Sequence, residues 1–82
     1  MDKNEIKDKI RVILIRILKH ENFVMEDKLS ATDVEGWDSL SHMMIITEIE
    51  KEFEIRFKLK ELNKMNNMAD LVELVDIKSQ QK

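Results

Sequence analysis

Apolar residues recur along this chain at helical spacing in three long stretches, separated by segments that keep no period. Ile6, Ile10, Ile13, Leu14 and Ile17 stand three and four residues apart and predict a first helix over residues 3–19, with Asp2 or Asn4 able to accept its orphan backbone N–H bonds. Val12 and Ile15 fall off that stripe and predict cover on more than one side. A second helix is predicted from Ser39 to Glu54, with Ile45, Ile46, Ile49 and Phe53 on one face and His42 near the centre of the same stripe. Leu59, Leu62 and Met65 mark a short helical turn or two. Asn66 or Asn67 can cap a last helix through about Lys78, striped by Met68, Leu71, Val72, Leu74, Val75 and Ile77. Ser79 to Lys82 reads as a frayed polar tail. The fold class expected is all-α: a small four-helix bundle of three longer helices and one short one, with residues 1–82 forming a single domain.

Residues 20–38 break the pattern. Asn22, Ser30, Thr32, Asp33 and Gly36 favour turns, and a connection this long in a compact domain points to function. Phe23, Val24, Leu29, Val34 and Trp37 are its candidate apolar anchors, with a short helical turn inside. Opposite the core-facing stripe of the second helix lie Leu40, Met44 and Thr47, with Met43 on the flank. An apolar patch there is a candidate partner surface, and methionine suits one because its thioether adapts to different shapes. For Leu40 and Met43, burial beneath the long loop is the competing reading.

Composition narrows the function classes. The chain has no cysteine, which removes disulfides and thiolate metal sites, and its two histidines, His20 and His42, are too few for a His-rich site. No apolar run approaches the roughly 20 residues of a membrane span, and the charged start is no secretory signal, so a cytoplasmic protein without membrane insertion is expected. The net charge of −3 is unevenly spread: residues 1–20 carry +3, residues 21–54 carry −8 and residues 55–82 carry +2. The acidic middle argues against nucleic acid and for basic partner surfaces, and predicts self-repulsion that salt relieves.

Asp38, Ser39 and His42 invite comparison with a hydrolytic triad. No G-x-S-x-G elbow is present and His42 is directed toward the core, so no catalytic residue is assigned. No calcium loop or Gly-rich phosphate loop occurs, and no metal site is expected. Ser39 is better read as an acceptor of a covalently attached phosphate at a helix N-terminus, with Asp38 as N-cap and Gly36 giving backbone freedom ahead of it.

Gly36-Trp37-Asp38-Ser39-Leu40 resembles the attachment motif of acyl carrier proteins, and the likeness extends over nearly the whole chain: amphipathic first helix, long loop ending at the motif, second helix closing with Glu50-Lys51-Glu52-Phe53, short third element around Leu62, last helix from Met68. The resemblance implies a free-standing monomeric carrier that is not an enzyme. It implies 4′-phosphopantetheine on Ser39, moved there from coenzyme A by a phosphopantetheinyl transferase that uses Mg²⁺, with the thiol of the arm carrying acyl groups as thioesters. It also implies docking of acyl ligases, synthases or transferases at Asp38, Leu40, Met43, Met44, Thr47 and Glu48 through basic surfaces. Trp37 and Ser41 beside the Asp-Ser-Leu triplet, Met44 where familiar carriers often have an acid, and basic Lys58-Leu59-Lys60-Glu61 depart from housekeeping fatty-acid carriers. These departures imply a specialised pathway; an aminoacyl or peptidyl carrier, and a helical interaction module without prosthetic group, are the alternatives.

Overall fold

Asp2 starts the first helix. Its carboxylate accepts from the Glu5 N–H at 2.8 Å, and α1 runs Lys3–Leu18 until Lys19 turns left-handed (φ 64°) and donates its N–H to Ile15 O at 2.8 Å. In this computed structural model, which describes residues 2–80, three more helices follow: α2 over Ser39–Phe53, α3 over Leu59–Asn63 and α4 over Met68–Gln80. A single 3₁₀ turn, Ala31–Asp33, interrupts the first connection. No strand occurs among the described residues, so the all-helical expectation and the long first loop both hold.

The core forms where α1 packs against both α2 and α4. Ile6, Ile10, Ile13 and Leu14 of α1 meet Ile45, Ile49 and Phe53 of α2 and Met68, Leu71, Val72 and Val75 of α4, all buried. Burial of a branched aliphatic side chain of this kind contributes about 1.5–3 kcal/mol, so the three stripes supply most of what holds so short a chain together. After α2, Ile55 is buried and Phe57 half-buried, so the segment 55–57 that leaves the helix is itself pinned to the core. The Glu50 carboxylate fixes it further by accepting the Phe57 N–H at 2.9 Å.

Three expectations are corrected. Val12 is 59% exposed, so α1 is left uncovered there, while Ile15 is half-buried. Val24 is 69% exposed and does not anchor the loop; Leu29 and Val34 are buried there, and Phe23, Met25 and Trp37 each pack against the core. Ser79 and Gln80 continue α4 instead of fraying, since Gln80 Nε2 donates to Asp76 Oδ1 at 3.1 Å one turn earlier and Ser79 is half-buried. The remainder of the expected tail, residues 81–82, lies outside the described residues.

The long loop is tied to the far end of the chain. Leu29 O accepts the Met68 N–H at 2.7 Å and Asp27 O accepts the Ala69 N–H at 3.0 Å, so loop carbonyls satisfy orphan donors at the start of α4. Asn67 completes that cap by accepting from Asp70 N–H at 3.0 Å. At its other end the loop is held by His20, whose Nδ1 accepts from Asn22 N–H (3.0 Å) while Nε2–H donates to Glu35 O (2.6 Å). Together these contacts deliver Gly36 and the residues after it to the head of α2.

Candidate functional site

Gly36 turns the chain into α2 with φ +86°, a conformation that L side chains rarely adopt. A Cβ placed there would lie 3.8 Å from Leu18 Cδ2, an ordinary contact, so backbone geometry and not space calls for glycine. Asp38 then caps the helix. Its Oδ1 accepts from Leu40 N–H at 3.0 Å and Ser41 N–H at 2.9 Å, and its backbone N–H donates to Ser41 Oγ at 2.8 Å. Ser41 Oγ in turn donates to Gly36 O at 2.7 Å. This is a capping box in which serine replaces the usual Glu or Gln. The amide donors, that of Ser41 foremost, hold the Asp38 carboxyl below its ordinary range.

Ser39 is the first residue of α2 and is exposed. Among the described residues nothing claims its hydroxyl, whereas the hydroxyl two positions on, that of Ser41, is engaged in the cap. One detail of the acceptor reading changes. The first-turn N–H groups of Leu40 and Ser41 are occupied by Asp38, and that of His42 donates to Asp38 O at 2.8 Å, so a phosphate on Ser39 would stand outside the helix end and not in a nest of free amides. A bulky group nevertheless fits, because the position is open to solvent and flanked by exposed Leu40 and Met43.

His42 and Trp37 face each other. The indole Nε1–H donates to His42 Nδ1 at 3.1 Å, and the rings stack at 6.2 Å with a 26° interplanar angle. With Asp38 turned to backbone amides and His42 to Trp37, the two are not assembled into a triad with Ser39. Behind this pair a cavity of about 70 Å³ reaches Ile46, Met65 and Leu71. That is far short of the roughly 300–1,000 Å³ of pockets that take small-molecule ligands.

The expected partner surface is open. Leu40 is 74% exposed, Met43 56% and Met44 49%, and Thr47 is exposed beside them, so the long loop does not cover Leu40 or Met43. These side chains border a groove of about 520 Å³ between α1 and α2, to which Ile17, Arg16, Lys19 and Glu48 also contribute. Arg16 and Lys19 were not legible as members of this face, since only the antiparallel packing of α1 on α2 brings them there. Glu48 is less free than its sequence position suggests: Arg16 Nη2 lies 3.3 Å from it and Lys51 Nζ 3.9 Å. Other acids of the −8 segment are similarly paired, Glu52 with Lys9 (3.3 Å), Asp27 with Lys7 (3.0 Å) and Glu21 with Arg11 (3.1 Å). The positive first helix therefore neutralises much of the acidic middle of the chain.

A helical domain whose long first loop delivers an Asp-Ser-Leu turn to the head of its second helix has the build of a carrier domain, one that holds a group for other proteins to act on. Comparison bears this out: the phosphopantetheine attachment site family matches over residues 8–75. The chain belongs to this family, that of the acyl carrier proteins, whose cofactor is 4′-phosphopantetheine held covalently. Among solved structures it is similar to the solution NMR structure of a holo acyl carrier protein from Geobacter metallireducens, at 37% identity and a TM-score of 0.85 over 92% of this chain and 86% of that one. No curated protein matches at a significant level. Among the described residues no helix is long and apolar enough to cross a membrane, and no group of three or more His, Asp or Glu could hold a metal ion.

Proposed function

We propose that Ser39 is the attachment point and that the chain serves as an acyl carrier protein outside housekeeping fatty-acid synthesis. The observation that carries the reading is the contrast between the two serines of the motif: Ser41 is locked into the cap, and Ser39, at the first position of α2, is exposed and uncommitted. A phosphopantetheinyl transferase with Mg²⁺ would use the Ser39 hydroxyl oxygen as acceptor and coenzyme A as donor. The thiol so installed carries acyl groups as thioesters. Asp38 orients the helix start, Gly36 permits the turn, and Leu40, Met43, Met44 and Thr47 offer partner enzymes an apolar landing place. Catalysis then resides in those enzymes, and the carrier acts as a cytoplasmic monomer of one domain.

The specialised role rests on Trp37, Ser41 and Met44. Trp37 and Ser41 build the local structure described above, and Met44 puts an apolar side chain on the exposed face where an acid is common in the family. Intact mass after incubation with coenzyme A, Mg²⁺ and a broad-specificity transferase tests attachment. One phosphopantetheinyl group is expected on the wild type and on Ser41→Ala, and none on Ser39→Ala. An unmodified wild type, or a Ser39→Ala protein modified equally well, sinks the proposal. Loading with acyl against aminoacyl ligases separates an acyl from an aminoacyl carrier. A helical module without prosthetic group predicts that Ser39→Asp, still a competent helix-start residue, keeps full biological activity.

A further inference from the structure

We infer that Met43 and Met44 form a paired oxidation site, at which a peroxide turns the apolar face beside Ser39 polar without unfolding the domain. The oxidation chemistry stands on its own; its effect on partners rests on the carrier reading.

The chain has six methionines and no cysteine, so thioethers are its only sulfur. The fold sorts them. Met68 is buried in the core, and Met25 and Met65 are half-buried against it. Met43 and Met44 are 56% and 49% exposed, and neither belongs to the core. They are consecutive on α2: Met43 stands one helical turn after Ser39 and Met44 one turn after Leu40, and both line the α1/α2 groove. An oxidant in solvent therefore reaches this pair directly, whereas Met68 must wait for the core to open.

In the reaction the thioether sulfur gives an electron pair to one oxygen of the peroxide. An S–O bond forms and the O–O bond breaks. The departing hydroxide takes the proton left on the transferred oxygen and leaves as water, so the sulfur is oxidised and the peroxide reduced by that pair. The sulfoxide is polar and accepts hydrogen bonds, where the thioether was an adaptable apolar group. Under an apolar partner surface it loses water without gaining a donor, which is unfavourable. In the free carrier it stays solvated, so the fold bears little of that cost.

Peroxide treatment of the purified protein, quenched with catalase, tests this by peptide mass mapping, circular dichroism and loading of Ser39. Sulfoxide is expected at Met43 and Met44 several-fold faster than at Met25 and Met65, and more than about tenfold faster than at Met68, with the melting curve retained. Transfer of phosphopantetheine from coenzyme A to the oxidised carrier should slow about tenfold, and should recover after treatment with methionine sulfoxide reductases for both sulfoxide epimers. A Met43→Leu/Met44→Leu protein, compared with its own untreated rate, should lose nothing on treatment, which assigns the effect to these two sulfurs. Oxidation of Met25 or Met65 as fast as the pair, loss of the fold on oxidation, an unchanged loading rate, or an equal loss in the double variant overturns the inference. A wild-type protein that does not load before treatment refutes the carrier reading, and the mass map and melting curve then decide the oxidation site alone.

Discussion

Asp38 and Ser41 hold each other through two hydrogen bonds of opposite sense, the Asp38 N–H to Ser41 Oγ at 2.8 Å and the Ser41 N–H to Asp38 Oδ1 at 2.9 Å. The pair brackets Ser39 and fixes the direction in which it leaves the helix. Because the Asp38 carboxyl is held below its ordinary range, chiefly by the Ser41 amide, the folded state binds its proton less readily than the unfolded chain does. The stabilisation is thus complete above the ordinary carboxylate value and is lost as pH falls through the lowered one. Asp38→Asn should be less stable than wild type at neutral pH, with the gap closing in acid. Urea melts from pH 7 downward check this, and a gap that widens in acid contradicts it. Ser41→Ala, which removes the other half of the ring, should cost about 1 kcal/mol.

Trp37 supplies a donor only, so the His42 nitrogen facing it must be the unprotonated one. The same holds for His20 Nδ1, which accepts from a backbone amide. In their neutral form both imidazoles should therefore appear in long-range ¹H–¹⁵N spectra as the Nε2–H tautomer. Trp37→Phe keeps the stacking partner but deletes the donor, and is expected to destabilise by about 0.5–1.5 kcal/mol and release the tautomer preference of His42.

Gly36→Ala is expected to cost about 1–2 kcal/mol, because a side chain at φ +86° is strained although the space around it is open. For a domain of this size that is a fall of roughly 4–8 °C in Tm per kcal/mol. Thermal melts by circular dichroism read it directly, and an unchanged Tm would place the strain elsewhere.

Salt should do little for the wild-type protein. Composition alone predicts relief of self-repulsion in residues 21–54, yet Lys9 and Arg16 of α1 already face Glu52 and Glu48 of α2. Exposed pairs of this sort contribute only about 0–1 kcal/mol each, and salt screens them along with the repulsion. In a Lys9→Ala/Arg16→Ala double variant the acids lose these partners, and added NaCl should then raise Tm. Equal salt responses in the two proteins would count against the neutralising role of α1.

The helices were readable from the chain because each buries one stripe, and a stripe of Ile, Leu, Val and Met at helical spacing has one economical solution. Their starts were readable where a short polar side chain meets its own backbone, as at Asp2, Asp38 and Asn67. Single off-stripe residues were not: Val12 and Val24 look alike with Leu29 in the sequence, and only packing decides which of them is covered. Cross-helix relations were also hidden. Arg16 and Glu48 are 32 positions apart, and nothing local announces that they meet. Hence the charge count of the middle segment leaves out the cations that α1 brings beside it. The Ser41 role escaped notice for a milder reason, since the third helical position of a capping box is ordinarily Glu or Gln.

The two hydrogen bonds from the Met68 and Ala69 N–H groups to loop carbonyls carry an implication for how the domain opens. A loop anchored only by side chains could peel away while the helices stayed intact. Here, detaching residues 27–29 also takes the acceptors away from two donors at the head of α4, so loop release and fraying of that helix are one event with one free energy. The amides of Met68 and Ala69 should then exchange with solvent in step with one another, and their shared rate would time how often the loop leading to Ser39 comes loose.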